Sequence, residues 1–260
     1  GITTPGGFGN LVKSELGLAV HEAVRDVYGT DLPHYFKYVS LGSDSVYPKL
    51  EHVRGLDSDD PRVTVNVPAC TGDWFGGWDG VLAPQPDKYS TEDASSGRMV
   101  EVIEQGAPAV MLCHWPGMYS NGTLDGFHAF QRVVLSLKSR FEMQTLWMKV
   151  SEIGRYYTAR ELTRISTDKG VVRFDAPFDT TRFTVRLDRS LKGTPHLKRF
   201  DTAGGVASDP LKAVTTAAQL DAGCWMAEEN STVVCFDLPP SSGTCESFII
   251  GLEVCFASSR

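Results

Sequence analysis

Three valines alternate with polar residues in RVTVNVPA (62–69), and a wholly apolar run follows at PAVMLCH (108–114). Between them, TEDASSGRMVEVIEQG (91–106) predicts a helix, with Thr91 as N-cap, acids in the first turn and Gly106 at the end. This strand–helix–strand order constrains the fold more than any other feature of the chain. Two strands joined through a crossover helix run parallel in one sheet. The same alternation extends over the first 160 residues. Residues 10–28 predict a helix carrying Leu11, Leu18, Val24 and Val27, and YFKYVS (35–40) a short strand. LDGFHAFQRVVLSLK (124–138) predicts a helix with Phe127, Phe130, Val134 and Leu137 on one face. QTLWMKV (144–150) predicts a strand, and Ser151 caps a last helix. About four βα units result, enough for an open sheet or part of a parallel (β/α) barrel.

From about residue 161 the pattern changes. GVVRFDAPF, TRFTVRL, STVVCFDL and ESFIIGLEVCF are short β runs broken by Gly, Pro and Ser turns. The chain therefore divides into an α/β portion at 1–160 and a small antiparallel, sandwich-like β domain at 161–260. Composition narrows the function. A formal net charge of −7 argues against a basic face for nucleic acid. No run of 18 uninterrupted apolar residues occurs, so no membrane helix is expected. The opening GITTPGGFGN has neither a leader pattern nor an initiating Met and reads as a processed or trimmed start. No feature assigns a compartment, and a secreted or periplasmic location is compatible with the chain. The six cysteines have no zinc-finger spacing. Cys224, Cys235, Cys245 and Cys255 could form two disulfides, but buried thiols at strand positions are the preferred reading.

In a parallel α/β sheet, ligands bind in the loops after the strands' carboxyl ends. That rule selects two segments. The first is Cys70-Thr71-Gly72-Asp73-Trp74, continuing through a Gly-rich loop with Trp78 and Asp79. Asp73 beside Trp74 and Trp78 suits a sugar, whose apolar faces stack on rings while its hydroxyls donate to a carboxylate. Asp79 reads as a solvated loop residue. The second segment is Leu112-Cys113-His114-Trp115-Pro116, where a histidine ends an apolar strand. A histidine there can act as a general acid or base, or as a metal ligand. Asp73 and His114 should therefore share one cleft. Asp59-Asp60 reads as a solvated turn, and His21, His34, His52, His128 and His196 have no partner spacing for a metal.

Taken in order, ITTPGGFG, CTGDWFGGW and VMLCHWP resemble the third, fourth and fifth motifs of the polysaccharide deacetylase (NodB-homology) superfamily. Leu112-Cys113-His114 matches that family's Leu-x-His motif, and Asp73-Trp74 the second half of its Asp-x-x-Asp-Trp motif. Cys70 stands where the first Asp would be. Pro5 and Gly6 fit the third motif, with Thr3 in place of its Arg. The resemblance covers roughly residues 1–160 and implies the C-terminal half of a deacetylase-type barrel followed by an accessory β domain. It implies His114 as the acid that protonates the leaving group, Asp73 as its orienting carboxylate, and Leu112 as a wall of the acetyl pocket. Trp74, Trp78, Trp115 and Pro5 would bind the substrate, an acetylated carbohydrate. The complete family uses a divalent metal, usually zinc, held by motifs that have no counterpart in this sequence. No metal is therefore expected on this chain alone. A partial barrel exposes an apolar edge, so a rearranged sheet, a homo-oligomer or an upstream segment is expected to complete it. The alternative is a non-catalytic carbohydrate-binding or structural protein on a degenerate deacetylase fold.

Overall fold

The computed structural model describes residues 2–3, 14–30, 34–38, 46–55, 62–168, 171–188, 190–191, 193–200, 206–240 and 249–253. Pro5, Asp59, Asp60, Cys245 and Cys255 lie outside these residues. The chain is a mixed α/β protein in two compact units, Gly1–His52 with Thr64–Ile153, and Val53–Val63 with Gly154–Arg260. No helix among the described residues is long and apolar enough to cross a membrane.

A four-stranded sheet, most of whose residues belong to the first unit, has the order β1–β2–β4–β3, from β1 (Ile2–Thr3), β2 (His34–Tyr38), β3 (Lys49–Arg54) and β4 (Arg62–Ala69). The pairs β1–β2 and β2–β4 are parallel. Among the described residues these strands form an open sheet and do not close into a barrel. Every residue of β4 after Arg62 is buried, Thr64 and Asn66 included. Period-two alternation predicts one wet face. The strand is instead central and covered on both faces, as parallel strands usually are.

α1 (Ser14–Tyr28) buries His21 and Val24 and leaves Val27 exposed, so the inward stripe is narrower than the leucine–valine spacing suggests. α2 is shorter than expected, spanning Arg98–Glu104. Thr91 does not cap it. The Thr91 hydroxyl takes the Ser96 N–H at 3.1 Å and meets Asp93 at 2.7 Å, folding residues 91–96 into a side-chain-bonded turn. Such local bonds compete with the helix for the same backbone groups. α3 (Trp115–Tyr119) is one short turn. In α4 (Asp125–Phe141) the buried face runs through Gly126, Ala129, Val133, Ser136, Leu137 and Phe141, while Phe127 stays exposed. The expected face is thus rotated. Gly126 decides this: a Cβ there would stand 2.0 Å from the Gly117 carbonyl oxygen and 2.3 Å from that of Phe75. The helix rests its bare backbone on those two carbonyls and brings the neighbours of Gly126 inward.

The expected strand at 144–150 is absent. The N–H groups of Gln144 and Thr145 return to the Phe141 carbonyl, and Leu146 and Trp147 are exposed. α5 (Val150–Leu162) begins at once, its start held by the Glu152 carboxylate on the Lys149 N–H at 2.7 Å rather than by Ser151.

The second unit contains nine strands among the described residues: β5 (Arg164–Asp168), β6 (Val171–Asp175), β7 (Thr180–Leu187), β8 (His196–Phe200), β9 (Val206–Pro210), β10 (Lys212–Ala213), β11 (Cys224–Ala227), β12 (Thr232–Leu238) and β13 (Ile249–Glu253). They form two sheets, β5–β6–β13–β8–β9 and β10–β11–β12–β7, antiparallel except for the β10–β11 pair. Phe174 of the first sheet meets Phe183 and Phe236 of the second at ring separations of 6.1 and 5.1 Å. The apolar residues of both sheets form one core with Ala159.

Candidate functional site

Segment 110–114 lies beside the end of β4, but not as a regular strand. The Cys70 N–H donates to the Val110 carbonyl at 2.8 Å. Next, the Leu112 N–H donates to the Thr71 hydroxyl at 3.0 Å, and the His114 N–H to Asp73 Oδ2 at 3.1 Å. The contacts advance together along both segments, so the two run in the same direction. Side-chain oxygens of Thr71 and Asp73 take amides that a ladder would give to carbonyls, which explains why the expected strand at 108–114 is not formed.

This arrangement joins the two segments selected from the sequence. His114 Nδ1 lies 2.6 Å from Asp73 Oδ2. Asp73 also receives the Phe75 N–H on Oδ1 at 3.4 Å. The carboxylate side chain is 9% exposed and the imidazole 38%. A mostly buried carboxylate thus fixes the ring of a half-exposed histidine, which defines the tautomer with Nδ1–H toward Asp73.

Tyr89 holds the pair from beneath, and no periodic signal in the sequence marks it. Its hydroxyl accepts the Trp74 N–H at 2.6 Å and lies 3.0 Å from the Gly72 carbonyl and 3.3 Å from that of Leu112. One hydroxyl therefore ties both strand-end segments together. Burial pushes its acidity far below that of an ordinary phenol, so it remains a neutral donor. The ring stacks on Phe75 with centroids 4.1 Å apart.

The aromatic candidates separate into two groups. Trp74 is half-buried, edge-on to Tyr89 at 4.9 Å with the Lys88 ammonium 5.7 Å above its ring. Trp78 and Trp115 are 73% and 80% exposed, so their faces are open to a ligand. Their segments are pressed together. A Cβ on Gly80 would stand 2.4 Å from the Pro116 carbonyl oxygen, so the glycines that suggest a supple loop serve close backbone packing instead. Leu112 is buried. Asp79 is exposed and accepts the Val81 N–H at 3.2 Å.

Cys70 is buried, and burial pushes its thiol up to about 11, which removes it as a nucleophile. Cys113, next to His114, is exposed as a residue. Its thiol is nonetheless held above the ordinary value, first by partial burial and then by the Asp73 charge. Alkylation of Cys113 by iodoacetamide should be slow at neutral pH and rise about tenfold per pH unit through the alkaline range. Asp73→Asn should shift that profile to lower pH. An unchanged profile in the variant would show that the carboxylate does not act on the thiol.

Among the described residues, no group of three or more His, Cys, Asp or Glu side chains could hold a metal ion. His21 is buried in α1, His128 is exposed on α4, and His196 lies on β8, 3.3 Å from the Ser208 hydroxyl. The three-ligand set of a catalytic zinc site is not met by Asp73 and His114, which bond to each other. No protein-family model matches the chain, and neither curated proteins nor solved structures give a significant match.

Proposed function

We propose that this protein binds acetylated carbohydrate beside the Asp73–His114 pair, with His114 in the position of the leaving-group proton donor of a deacetylase-type hydrolysis that the chain by itself does not complete. The observation that carries this reading is the 2.6 Å contact between His114 Nδ1 and a carboxylate that also receives two backbone amides. With Nδ1–H committed to Asp73, proton exchange with a substrate runs through Nε2. The carboxylate holds the ring in one orientation, which a proton donor needs. Trp78 and Trp115 supply flat exposed faces on the flanking segments. Hydrolysis also needs an activated water, and the described residues offer no metal site to activate it. The alternative is non-catalytic binding of carbohydrate by the same aromatic faces.

Titration with N-acetylglucosamine oligomers, metal analysis and an acetate assay test this together. The chain should bind the oligomer, and Trp78→Ala with Trp115→Ala should weaken binding roughly tenfold, equivalent to about 1.4 kcal/mol. Purified chain should carry less than stoichiometric zinc and release no acetate, with or without added zinc. One metal per chain, with acetate release abolished by His114→Ala, would make the chain a complete enzyme. No sugar binding by the unaltered chain would overturn the carbohydrate reading.

A further inference from the structure

β11 and β12 form a hairpin closed by the Glu228 N–H on the Ser231 carbonyl at 2.9 Å. Its register sets Cys224 directly opposite Cys235. The two share a face. Val234 and Phe236 point into the aromatic core and Trp225 packs against that core, so the alternating positions 224 and 235 point to the sheet's other side. Thr184 of β7 continues the row beyond Cys235. Both cysteines are buried, at 9% and 2% exposure, and both are free thiols. Directly opposed antiparallel residues have Cα atoms about 4.5 or about 5.5 Å apart. Disulfides span Cα separations of about 4.4–6.8 Å, so the backbone already meets the requirement.

We propose that Cys224 and Cys235 are a dithiol that closes into a cross-strand disulfide when the chain meets a disulfide oxidant such as oxidised glutathione. One cysteine thiolate attacks a glutathione sulfur, breaking that S–S bond and releasing one glutathione. The second cysteine loses its proton, attacks the protein-side sulfur of the mixed disulfide and releases the second glutathione. Two S–H bonds are lost, one protein S–S bond forms, and the electron pair ends on the two glutathione thiols. The bond would lock the β11–β12 hairpin independently of the Asp73–His114 site.

The test exposes the full chain to oxidised glutathione and blocks residual thiols with N-ethylmaleimide. Digestion with a glutamate-specific protease, at Glu228 and Glu229, and with chymotrypsin, after Phe236, then places Cys224, Cys235 and Cys245 on separate peptides. The expected product is the Cys224 peptide joined to the Cys235 peptide, separable by reduction, with loss of both maleimide adducts. Cys224→Ser should abolish it. Cys235 joined to Cys245 or Cys255 instead, or both thiols recovered as maleimide adducts after prolonged exposure, would overturn the proposal. The map of the unaltered chain decides the pairing, so a serine variant that fails to fold leaves the test intact.

Discussion

Gly126→Ala should destabilise the first unit by about 3 kcal/mol, the upper part of the range for overpacking a close contact. The added methyl would stand 2.0 Å from the Gly117 carbonyl oxygen and 2.3 Å from that of Phe75, both backbone atoms. Neither can swing aside as a side-chain tip would. Helix propensity alone predicts the opposite sign, since alanine is favoured over glycine in a helix, by at most about 1 kcal/mol and by less in the first turn, where Gly126 lies. Denaturant unfolding distinguishes the two, with Ser139→Ala on the exposed side of the same helix as a control expected to change little. A stabilised Gly126→Ala protein would show that α4 does not rest on the Phe75 and Gly117 backbone. Because the loop carrying Asp73 and the turn carrying Trp115 are joined through these glycines, the same variant should also weaken sugar binding.

Asp73→Ala is expected to cost about 3 kcal/mol, and Asp73→Asn distinctly less. The carboxylate is 9% exposed and accepts from the His114 N–H, the Phe75 N–H and the His114 ring. Removing it leaves two backbone amides without their acceptor, and unmade partly buried hydrogen bonds account for most of the loss. The ring contact adds less, because the imidazole is 38% exposed and water can take the place of the lost partner. Asparagine keeps the shape and one acceptor oxygen. Unfolding midpoints measure the difference, and equal midpoints for Asp73→Ala and the unaltered chain would remove Asp73 as the clamp. Neither substitution touches Trp78 or Trp115, so a folded Asp73→Asn protein should still bind the oligomer.

Strongly patterned local segments were legible from the residues alone. The alternating valines of 62–69 form a strand, β4, paired in parallel with β2. The β runs near 171–175, 180–187, 232–238 and 249–253 are strands. The weakly apolar strands HLKRF and VASDP carry no such signal. They pair because β13 offers its edge to β8 across a long sequence separation, and β8 then offers its other edge to β9, which follows closely in the chain. The apolar run at 108–114 and the segment at 144–150 show the converse. Each reads as a strand, yet one gives its amides to side-chain oxygens and the other lies beyond a helix end.

The same division holds for the site. Residue types and their positions after apolar runs were enough to select Asp73, His114, Trp78 and Trp115 as candidates, because a carboxylate or imidazole ending such a run is chemically conspicuous. The 2.6 Å contact, the Tyr89 hydroxyl beneath it and the burial of Trp74 arise only when segments 70–75, 89 and 110–114 meet. Local pattern determines which backbone conformation a segment prefers, since that preference depends on neighbours a few residues away. Which carbonyl, hydroxyl or carboxylate receives each amide depends on groups some forty positions distant, and only the packed chain brings those within hydrogen-bond reach.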